Sequence, residues 1–328
     1  MKTGRIPLHS FATSTFWRSS FRHTSVATIA ALLQCPAFFC GCIPIGPIPI
    51  PAAIHTKGYE ADALDLFFFD AEGRLDAYQQ LPAPARGTPV YGVSSEAAVQ
   101  LAVLSTRAGD SGAWWDLASY PQLCKHSFHL ADESPEKPLL AGEVRLQPGA
   151  SRHLELTLHP LLTCIRLCSV SCDFSGLPYA GTPLLSDKLY IQFAGTEMHP
   201  LGAGDRAPVS WINDGEADSS AVMQLPHPDM VLQEGAGAIG PERVYLNRSF
   251  YFYPGPRSRL VLSGSIGEDY CYYPISLRDI RPGGRYDLHL TLRRKGSPDV
   301  HTPVESGTVT IETLTVPWSR GDSKNLSL

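Results

Sequence analysis

A β-hairpin is indicated by residues 64–78, which read LDLFFFDAEGRLDAY. The first six residues favour a strand, because aromatic and large apolar side chains pack well on a pleated sheet. Residues 70–73, DAEG, are typical of a tight turn, and the residues after them predict the returning strand. The folded part of the chain therefore opens with two antiparallel strands.

Short strand patterns continue along the chain, which has 28 Gly and 28 Pro in 328 residues and 18% charged residues. This composition favours short strands joined by many turns. Residues 114–123 are expected to form one short helix or an irregular segment. The polar, Gly-rich residues 202–240 are expected to form a long loop region, where binding function often lies. Further strands are predicted at 99–104, 144–146, 154–158, 162–174, 189–193, 244–253, 258–263, 270–277, 286–292 and 308–316.

The N-terminal 41 residues have the layout of a secretory signal. They contain four basic residues and no acid, and an uncharged apolar run covers residues 25–39. The run ends in Phe39-Cys40-Gly41-Cys42, which resembles a bacterial lipobox, so we expect cleavage between Gly41 and Cys42 and a lipid on Cys42. The alternative is an ordinary cleavage site with chance cysteines. A lipid with several acyl chains would hold the protein on a membrane.

Turn-rich segments suggest the domain boundaries. Residues 1–41 are a lipoprotein signal peptide, and the Pro-rich residues 42–57 are expected to be a stiff, extended linker. Residues 175–185 carry two Gly and two Pro and mark the preferred boundary between domains. The sequence thus predicts an N-terminal β-sandwich at 58–175, a C-terminal β-sandwich at 176–318 and a polar tail at 319–328.

The charge balance excludes nucleic acid as a partner. The whole chain has a net charge of −5, and removal of the four basic residues of the leader brings it to about −9. No later segment has the 18 or so consecutive apolar residues that a membrane-spanning helix needs.

Five cysteines remain after the leader. Cys164, Cys168 and Cys172 are four residues apart in one predicted strand, too far from each other for a bridge within it. They are predicted to be small buried residues, and a disulfide between Cys124 and Cys271 stays open.

Potential ligands for a metal are grouped at one place in the sequence: Cys124, His126, His129, Asp132 and Glu133. A zinc site needs four ligands in tetrahedral geometry, and this group has no partner pair at a recognisable distance. Scattered surface histidines are the better interpretation, and no cofactor is expected.

Hydrolase chemistry has little support. Residues 264–267, GSIG, fall one residue short of the nucleophile elbow and lead into another predicted strand instead of a helix. Glycoside hydrolysis depends on the distance between two carboxyl groups, and the sequence does not give that distance for a pair such as Asp287 and Glu312. The protein is therefore expected not to be an enzyme.

Aromatic residues and one tripeptide are candidates for binding. Residues 250–253, FYFY, and 270–273, YCYY, could stack on sugars, but alternation along a strand should bury about half of such side chains. Trp114 and Trp115 are expected in the core or at a domain interface. Integrin-like adhesion is the candidate role of a tripeptide in the polar tail, Arg320, Gly321 and Asp322, although a three-residue match is weak.

Several of these features together resemble the fimbrillin-type proteins of Bacteroidetes, the subunits of type V pili, and in particular their lipoprotein anchor and minor-subunit group. The resemblance rests on Cys42 in its lipobox, the hairpin at 64–73, the Leu-rich strand around 165–167 and the C-terminal residues 284–292 and 316–318. It implies two transthyretin-like β-sandwich domains and assembly by strand exchange, in which a strand of one subunit completes a sheet of the next.

The resemblance also implies a role for arginine-directed cleavage, which frees the first strand in stalk subunits. Arg74, Arg86 and Arg107 are candidate cut sites by residue type alone. A lipid-anchored subunit cut there would lose its anchor, so an anchor should stay uncut. The polar segment after Trp318 is a poor donor strand, which favours a terminal subunit over a repeating one.

The predicted function is that of a non-enzymatic lipoprotein on the outer membrane and cell surface. It would act as the anchor or a minor subunit of a fimbria and accept a donor strand from a neighbouring pilin. Its expected partners are other fimbrial subunits and, through the lipid, the membrane. The alternative is a surface-exposed or tip adhesin that binds a glycan or a host protein.

Overall fold

The computed structural model describes residues 48–56, 59, 61–82, 90–106, 114–147, 154–201, 208–214, 219–302, 310–313 and 324–327. Most of them lie in β-strands, so the prediction of an all-β fold is confirmed. The predicted leader, Cys42, Arg86, Arg107 and the tripeptide at 320–322 lie outside the described residues. No described helix has the length and apolar character needed to cross a membrane.

The N-terminal half contains two sheets. A five-stranded sheet has the order β3-β2-β5-β7-β9, and a three-stranded sheet has the order β4-β1-β8. The elements are β1 (Ile48–His55), β2 (Ala63–Phe69), β3 (Leu75–Pro82), β4 (Val90–Ser94), β5 (Gln100–Thr106), α1 (Tyr120–Lys125), β6 (Phe128–His129), β7 (Leu140–Arg145), β8 (Leu154–Thr157) and β9 (His159–Pro160), with a 3-10 turn at Leu130–Asp132.

The C-terminal half contains a three-stranded sheet, β15-β10-β18, and a four-stranded sheet, β14-β11-β16-β17. Smaller sheets are β13-β12-β6 and the pair β19-β20. The elements are β10 (Thr163–Cys172), β11 (Leu184–Gln192), β12 (Ala194–Met198), β13 (Ser210–Ile212), α2 (Ser219–Val222), a 3-10 turn at Pro228–Met230, β14 (Leu232–Ile239), β15 (Val244–Phe252), β16 (Arg259–Ile266), β17 (Asp269–Ser276), β18 (Arg285–Leu292), β19 (Thr310–Thr313) and β20 (Lys324–Ser327).

The opening hairpin forms as predicted, and local hydrogen bonds explain its turn. The Asp70 carboxylate accepts hydrogen bonds from the backbone N–H groups of Glu72 at 3.0 Å and Arg74 at 2.8 Å. Gly73 has a φ of 75°, a conformation that glycine adopts at little cost. β2 and β3 then pair in antiparallel register, with Phe67 opposite Tyr78.

Two clusters of buried apolar side chains form the core. The N-terminal cluster lies between the two N-terminal sheets and comprises Ile54, Leu64, Leu66, Phe68, Ala98, Leu101, Val103, Leu140, Leu146, Leu156 and Leu158. The central cluster includes Phe67 and Phe69 from the opposite face of β2 and continues through the C-terminal strands, for example at Ile165 and Phe250. Because β2 is buried on both faces, its apolar run is almost unbroken.

The pairing of β10 bears on the domain boundary expected at residue 175. β10 precedes that boundary, yet it pairs with β15 and, in parallel, with β18. A division after residue 175 would separate β10 from both neighbours in its sheet. Strand pairing favours a division between β9 and β10, and the two-domain organisation itself stays a prediction.

Three other segments differ from expectation. Residues 48–55 lie in β1 although 42–57 were expected to be a linker, and residues 202–240, expected to be a loop, contribute β13, α2 and β14. The helix within 114–123 is shorter and displaced, since α1 covers Tyr120–Lys125. In the polar tail, β20 pairs with β19.

Candidate functional site

The strand β1 and the apolar surface beneath it form the candidate functional site. β1 is the central strand of its sheet: residues 48–52 pair antiparallel with β4, and residues 52–55 pair in parallel with β8. The backbone carbonyl of His55 also accepts a hydrogen bond from the N–H of Leu158 at 2.9 Å. The first described strand of the chain is therefore held on both sides.

Prolines limit the hydrogen bonds that β1 can make. Pro49 and Pro51 are two residues apart, so their missing N–H groups fall on the same side of the strand. The register with β8 begins only at Ala52. Residues 48–51 consequently have one partner strand, β4, in the described structure, and β1 is held by fewer backbone hydrogen bonds than its central position would allow.

The N-terminal cluster is the apolar core that β1 joins through Ile54. Leu64, Leu66 and Phe68 of β2 and Leu101 and Val103 of β5 are each 1% exposed or less. Burying one large apolar side chain stabilises a fold by about 1.5–3 kcal/mol, so uncovering these five would cost on the order of 10 kcal/mol. Loss of β1 would remove Ile54 from this cluster and leave a groove between β4 and β8, to which a strand could add.

Two glycines allow the two sheets to approach each other closely. A Cβ atom on Gly92 of β4 would lie 2.6 Å from Cζ of Phe68, and a Cβ atom on Gly142 of β7 would lie 2.9 Å from the carbonyl oxygen of Thr157. No side chain larger than hydrogen fits without movement of these neighbours. The covering sheet is thus fitted closely to the surface of the five-stranded sheet.

The sequence around the site limits which protease could release β1. No arginine lies between Cys42 and Gly73, and the only basic residue in that range besides histidine is Lys57. Arg74 follows β2, and its guanidinium pairs with the carboxylates of Asp70 at 2.8 Å and Glu72 at 3.1 Å. A cut after Arg74 would release β2 together with β1 and would remove a strand buried on both faces.

Most of the other candidate residues from the sequence are structural. Phe250, Phe252 and Tyr253 are fully buried, while Tyr270 is 41% exposed. Trp114 is 7% exposed and donates its indole N–H to the Asp65 carboxylate at 2.9 Å. Trp115 differs from the expectation of a core or interface residue, because it is 85% exposed.

Within the group that could have held a metal, His126 and Cys124 are partly buried, whereas His129 is exposed. The ring of His126 is 4.7 Å from Trp114 and 5.1 Å from Phe128, centroid to centroid. Burial, followed by the charges of two neighbouring histidines, lowers the pKa of His126. In the part of the chain that the structure describes, no group of three or more His, Cys, Asp and Glu side chains is placed to hold a metal ion.

The predicted burial of the strand cysteines is confirmed. Cys164, Cys168 and Cys172 are each 5% exposed or less, and burial raises the pKa of Cys172 to about 12. Cys124 and Cys271 are free thiols in the structure, so the disulfide left open for them is not formed. Asp287 of the proposed carboxylate pair instead forms an ion pair with Arg166.

β1 was not predicted, because prolines usually exclude a central strand. A usable pattern was present, since residues 48–54, IPIPAAI, place Ile at alternate positions before Ala-Ala-Ile. Alternation with a period of two is typical of a strand. Prolines at alternate positions are compatible with a strand when no neighbouring strand needs a backbone N–H from the side on which proline lacks one.

No protein-family model matches the sequence, and no curated protein matches it significantly. Solved structures do match. A protein of Bacteroides eggerthii described as a cell adhesion protein aligns with a TM-score of 0.57 and 16% identity over 82% of this chain and 92% of its own. One from Parabacteroides distasonis with the same description gives a TM-score of 0.55 and 13% identity over 79% and 90%.

The fimbrilin of Porphyromonas gingivalis aligns with a TM-score of 0.50 and 13% identity over 79% of this chain and 94% of its own. At these identities the similarity concerns the fold. The chain covers nearly the full length of all three structures, so the whole architecture is shared and not one domain alone. Together with the sheets described above, these matches show that this chain has the all-β fimbrillin-type fold.

Proposed function

We propose that this protein is a non-enzymatic, lipid-anchored surface subunit of a fimbria, either its anchor or a minor subunit, and that it accepts a donor strand at the position of β1. The observation that carries the proposal is the place of β1: a proline-containing strand, separated from Cys42 by five residues, lies between β4 and β8 and contributes Ile54 to the N-terminal cluster. The fold shared with a fimbrilin and with cell adhesion proteins supports the fimbrial location.

The arginine positions support an anchor that stays uncut. Release of β1 alone needs a cut between His55 and Ala63, where the sequence offers Lys57 and no arginine. An arginine-directed protease would therefore leave the lipid on Cys42 connected to the folded chain. Strand exchange in this protein would then proceed by displacement of β1 and not by its loss.

Displacement of β1 would change the distance between the fold and the membrane. With β1 in place, five residues separate Cys42 from the sheet. With β1 displaced, roughly 20 residues up to β2 become a tether, and at about 3.3 Å per residue such a tether spans on the order of 65 Å. The donor strand of a neighbouring subunit would cover the groove, and the lipid would still hold the complex.

The lipid is tested by intact-mass analysis of the membrane fraction, with Cys42→Ala as the comparison. The expected result is a lipid-modified chain that begins at Cys42 and is lost from the membrane fraction in the variant. A soluble protein with an unmodified Cys42 would remove the anchor from the proposal.

Strand displacement is tested with a disulfide between β1 and β8. Ala53 lies opposite Glu155 in register, and neighbouring strands are about 4.8 Å apart, within the range of Cα separations that a disulfide bridges. The double variant Ala53→Cys, Glu155→Cys should reach the surface but capture no neighbouring fimbrial subunit until a reductant is added. Ala53→Cys alone is the control. Equal capture in the oxidised and reduced double variant would refute acceptance at β1.

An adhesin is the second candidate function, favoured by the exposed aromatic side chains Trp115 at 85%, Tyr245 at 70% and Tyr91 at 62%. Exposed aromatic residues of this size are frequent at binding surfaces. Arrays of glycans and matrix proteins test it, and Trp115→Ala is the first variant to compare. If the protein binds neither the glycan array nor the matrix-protein array, the adhesin function is refuted.

A further inference from the structure

A single arginine, Arg257, is held at a fixed position on the turn between β15 and β16. The N–H of Ser258 donates to the carbonyl of Gly255, and the N–H of Gly255 donates to Oγ of Ser258, both at 3.0 Å. Oγ of Ser258 donates in turn to the carbonyl of Phe193 at 3.0 Å. These bonds, with Pro256 inside the turn, connect the backbone beside Arg257 to the segment that carries Phe193.

Two aromatic rings fix the side chain of Arg257 as well. Its guanidinium carbon lies 4.6 Å from the centroid of Phe193 and 4.8 Å from the centroid of Trp211. Both distances are within the range of cation–π interactions. Arg257 is exposed and makes no hydrogen bond or ion pair with any described residue. Arg74 and Arg166, in contrast, are each paired with a carboxylate.

Unfavourable local features are concentrated at the same place. Phe193 has a φ of 53° and Asn213 a φ of 56°, left-handed backbone values that residues other than glycine seldom adopt. A hydrogen bond from the Phe193 N–H to the Asn213 carbonyl, at 3.0 Å, joins the two residues. The buried indole nitrogen of Trp211 has no hydrogen-bond partner in the described structure. Strained backbone and unpaired polar groups tend to cluster at functional sites.

The chemistry of the three side chains suggests the ligand. A guanidinium is suited to bind a carboxylate through two parallel hydrogen bonds. Its N–H groups point outward in its own plane, so contact of its face with an aromatic ring leaves them available. Phe193 and Trp211 are half-buried, so both residues reach the surface beside Arg257, and aromatic residues at a surface are suited to contact the apolar face of a sugar.

The size of the site favours a sugar acid over a protein. A stable protein interface buries about 800 Å² on each side, usually around a large apolar centre. Of the large exposed apolar side chains in the described residues, only Val209 lies within five residues of Phe193, Trp211 or Arg257 in sequence. We propose that Phe193, Trp211 and Arg257 form a binding site for a hexuronate unit of an acidic polysaccharide. This site is independent of strand exchange at β1.

Calorimetric titration of the purified protein with trigalacturonate tests the proposal. The expected result is saturable binding that weakens at least tenfold in Arg257→Ala. Arg257→Lys keeps the charge but loses the planar fork, and it should weaken binding nearly as much. Arg243→Ala, which removes another exposed arginine, is the matched control and should bind like the wild type.

Two comparisons make the test decisive. Neutral trigalactose should not bind, and a triglutamate peptide, which carries the same carboxylates without sugar rings, should bind at least tenfold more weakly than trigalacturonate. Absence of trigalacturonate binding, equal losses in Arg257→Ala and Arg243→Ala, or equal binding of the peptide would each overturn the proposal. Because the titration uses the isolated protein, its outcome is separate from that of the fimbrial experiments.

Discussion

Truncation of Ile54 should loosen β1 from the N-terminal cluster. Among the β1 side chains that the structure describes, Ile54 is the one that belongs to the cluster, and it is 6% exposed. Replacing a buried isoleucine by alanine usually costs about 2–5 kcal/mol. Since Ile54 lies in a sheet of only three strands that can partly relax, we expect Ile54→Ala to lower the free energy of unfolding, or of local opening of β1, by about 2–4 kcal/mol.

Hydrogen exchange distinguishes local opening from global unfolding. A loss of 2–4 kcal/mol corresponds to roughly 30- to 700-fold faster exchange, at about tenfold per 1.4 kcal/mol. If β1 opens alone, the faster exchange should be confined to β1, β4 and β8, and the urea midpoint of the five-stranded sheet should hardly change. If the half unfolds as one unit, the midpoint should fall together with the exchange protection.

Matched leucine variants calibrate the result. Leu185→Ala removes a side chain that is 51% exposed and should change stability by no more than about 0.5 kcal/mol, whereas Leu66→Ala in the cluster should cost at least as much as Ile54→Ala. If Ile54→Ala behaves like Leu185→Ala in both assays, β1 does not cover the cluster, and the reasoning behind strand exchange at this position fails.

Three further predictions concern the groove, the junction of the halves and pH. Gly92→Ala should lower the melting temperature, with a cost of about 1–3 kcal/mol, because its Cβ would lie 2.6 Å from Phe68; a temperature within error of the wild type would contradict this. Tyr253→Phe removes the 2.9 Å hydrogen bond to the Glu133 carboxylate and should cost about 1.5–3 kcal/mol in urea unfolding, whereas a change below 0.5 kcal/mol would make the bond irrelevant. Because the pKa of His126 is lowered in the folded state, the unfolded chain binds a proton at this residue more readily, so stability should fall as pH decreases from about 7 to 5. Melting curves of His126→Gln should show a smaller loss of stability over this range. A loss as large as that of the wild type would show that His126 does not cause the pH dependence.

Local sequence was sufficient for the strands with clear patterns. The hairpin at 64–78 was predictable because its apolar run, its Asp and Gly turn residues and its returning strand all favour the same structure. The strands β15 to β18 were found within a few residues for the same reason. The buried state of Cys164, Cys168 and Cys172 followed from their position in an apolar strand.

Contacts between distant segments explain the differences. β14 reads LQEGAGAI and has weak strand propensity, but it lies against β11 so closely that a Cβ atom on Gly235 would be 2.3 Å from the carbonyl oxygen of Ser186. Such a close approach requires glycine, and a run of glycines in a sequence is also typical of a loop. The cluster around Arg257 was also not predicted, because the two aromatic neighbours of this arginine are 64 and 46 residues away in sequence.

The sequence by itself determined the all-β class, the turn-rich strand pattern and the resemblance to fimbrillin-type proteins, because these depend on side-chain alternation and turn chemistry within a few residues. Only the tertiary structure decided that the proline-containing residues 48–55 form a central strand, that β10 belongs with β15 and β18, and that Phe193, Trp211 and Arg257 meet. The physical reason is that strand partners and surface clusters are selected by burial and backbone pairing across long sequence separations, which no local pattern specifies.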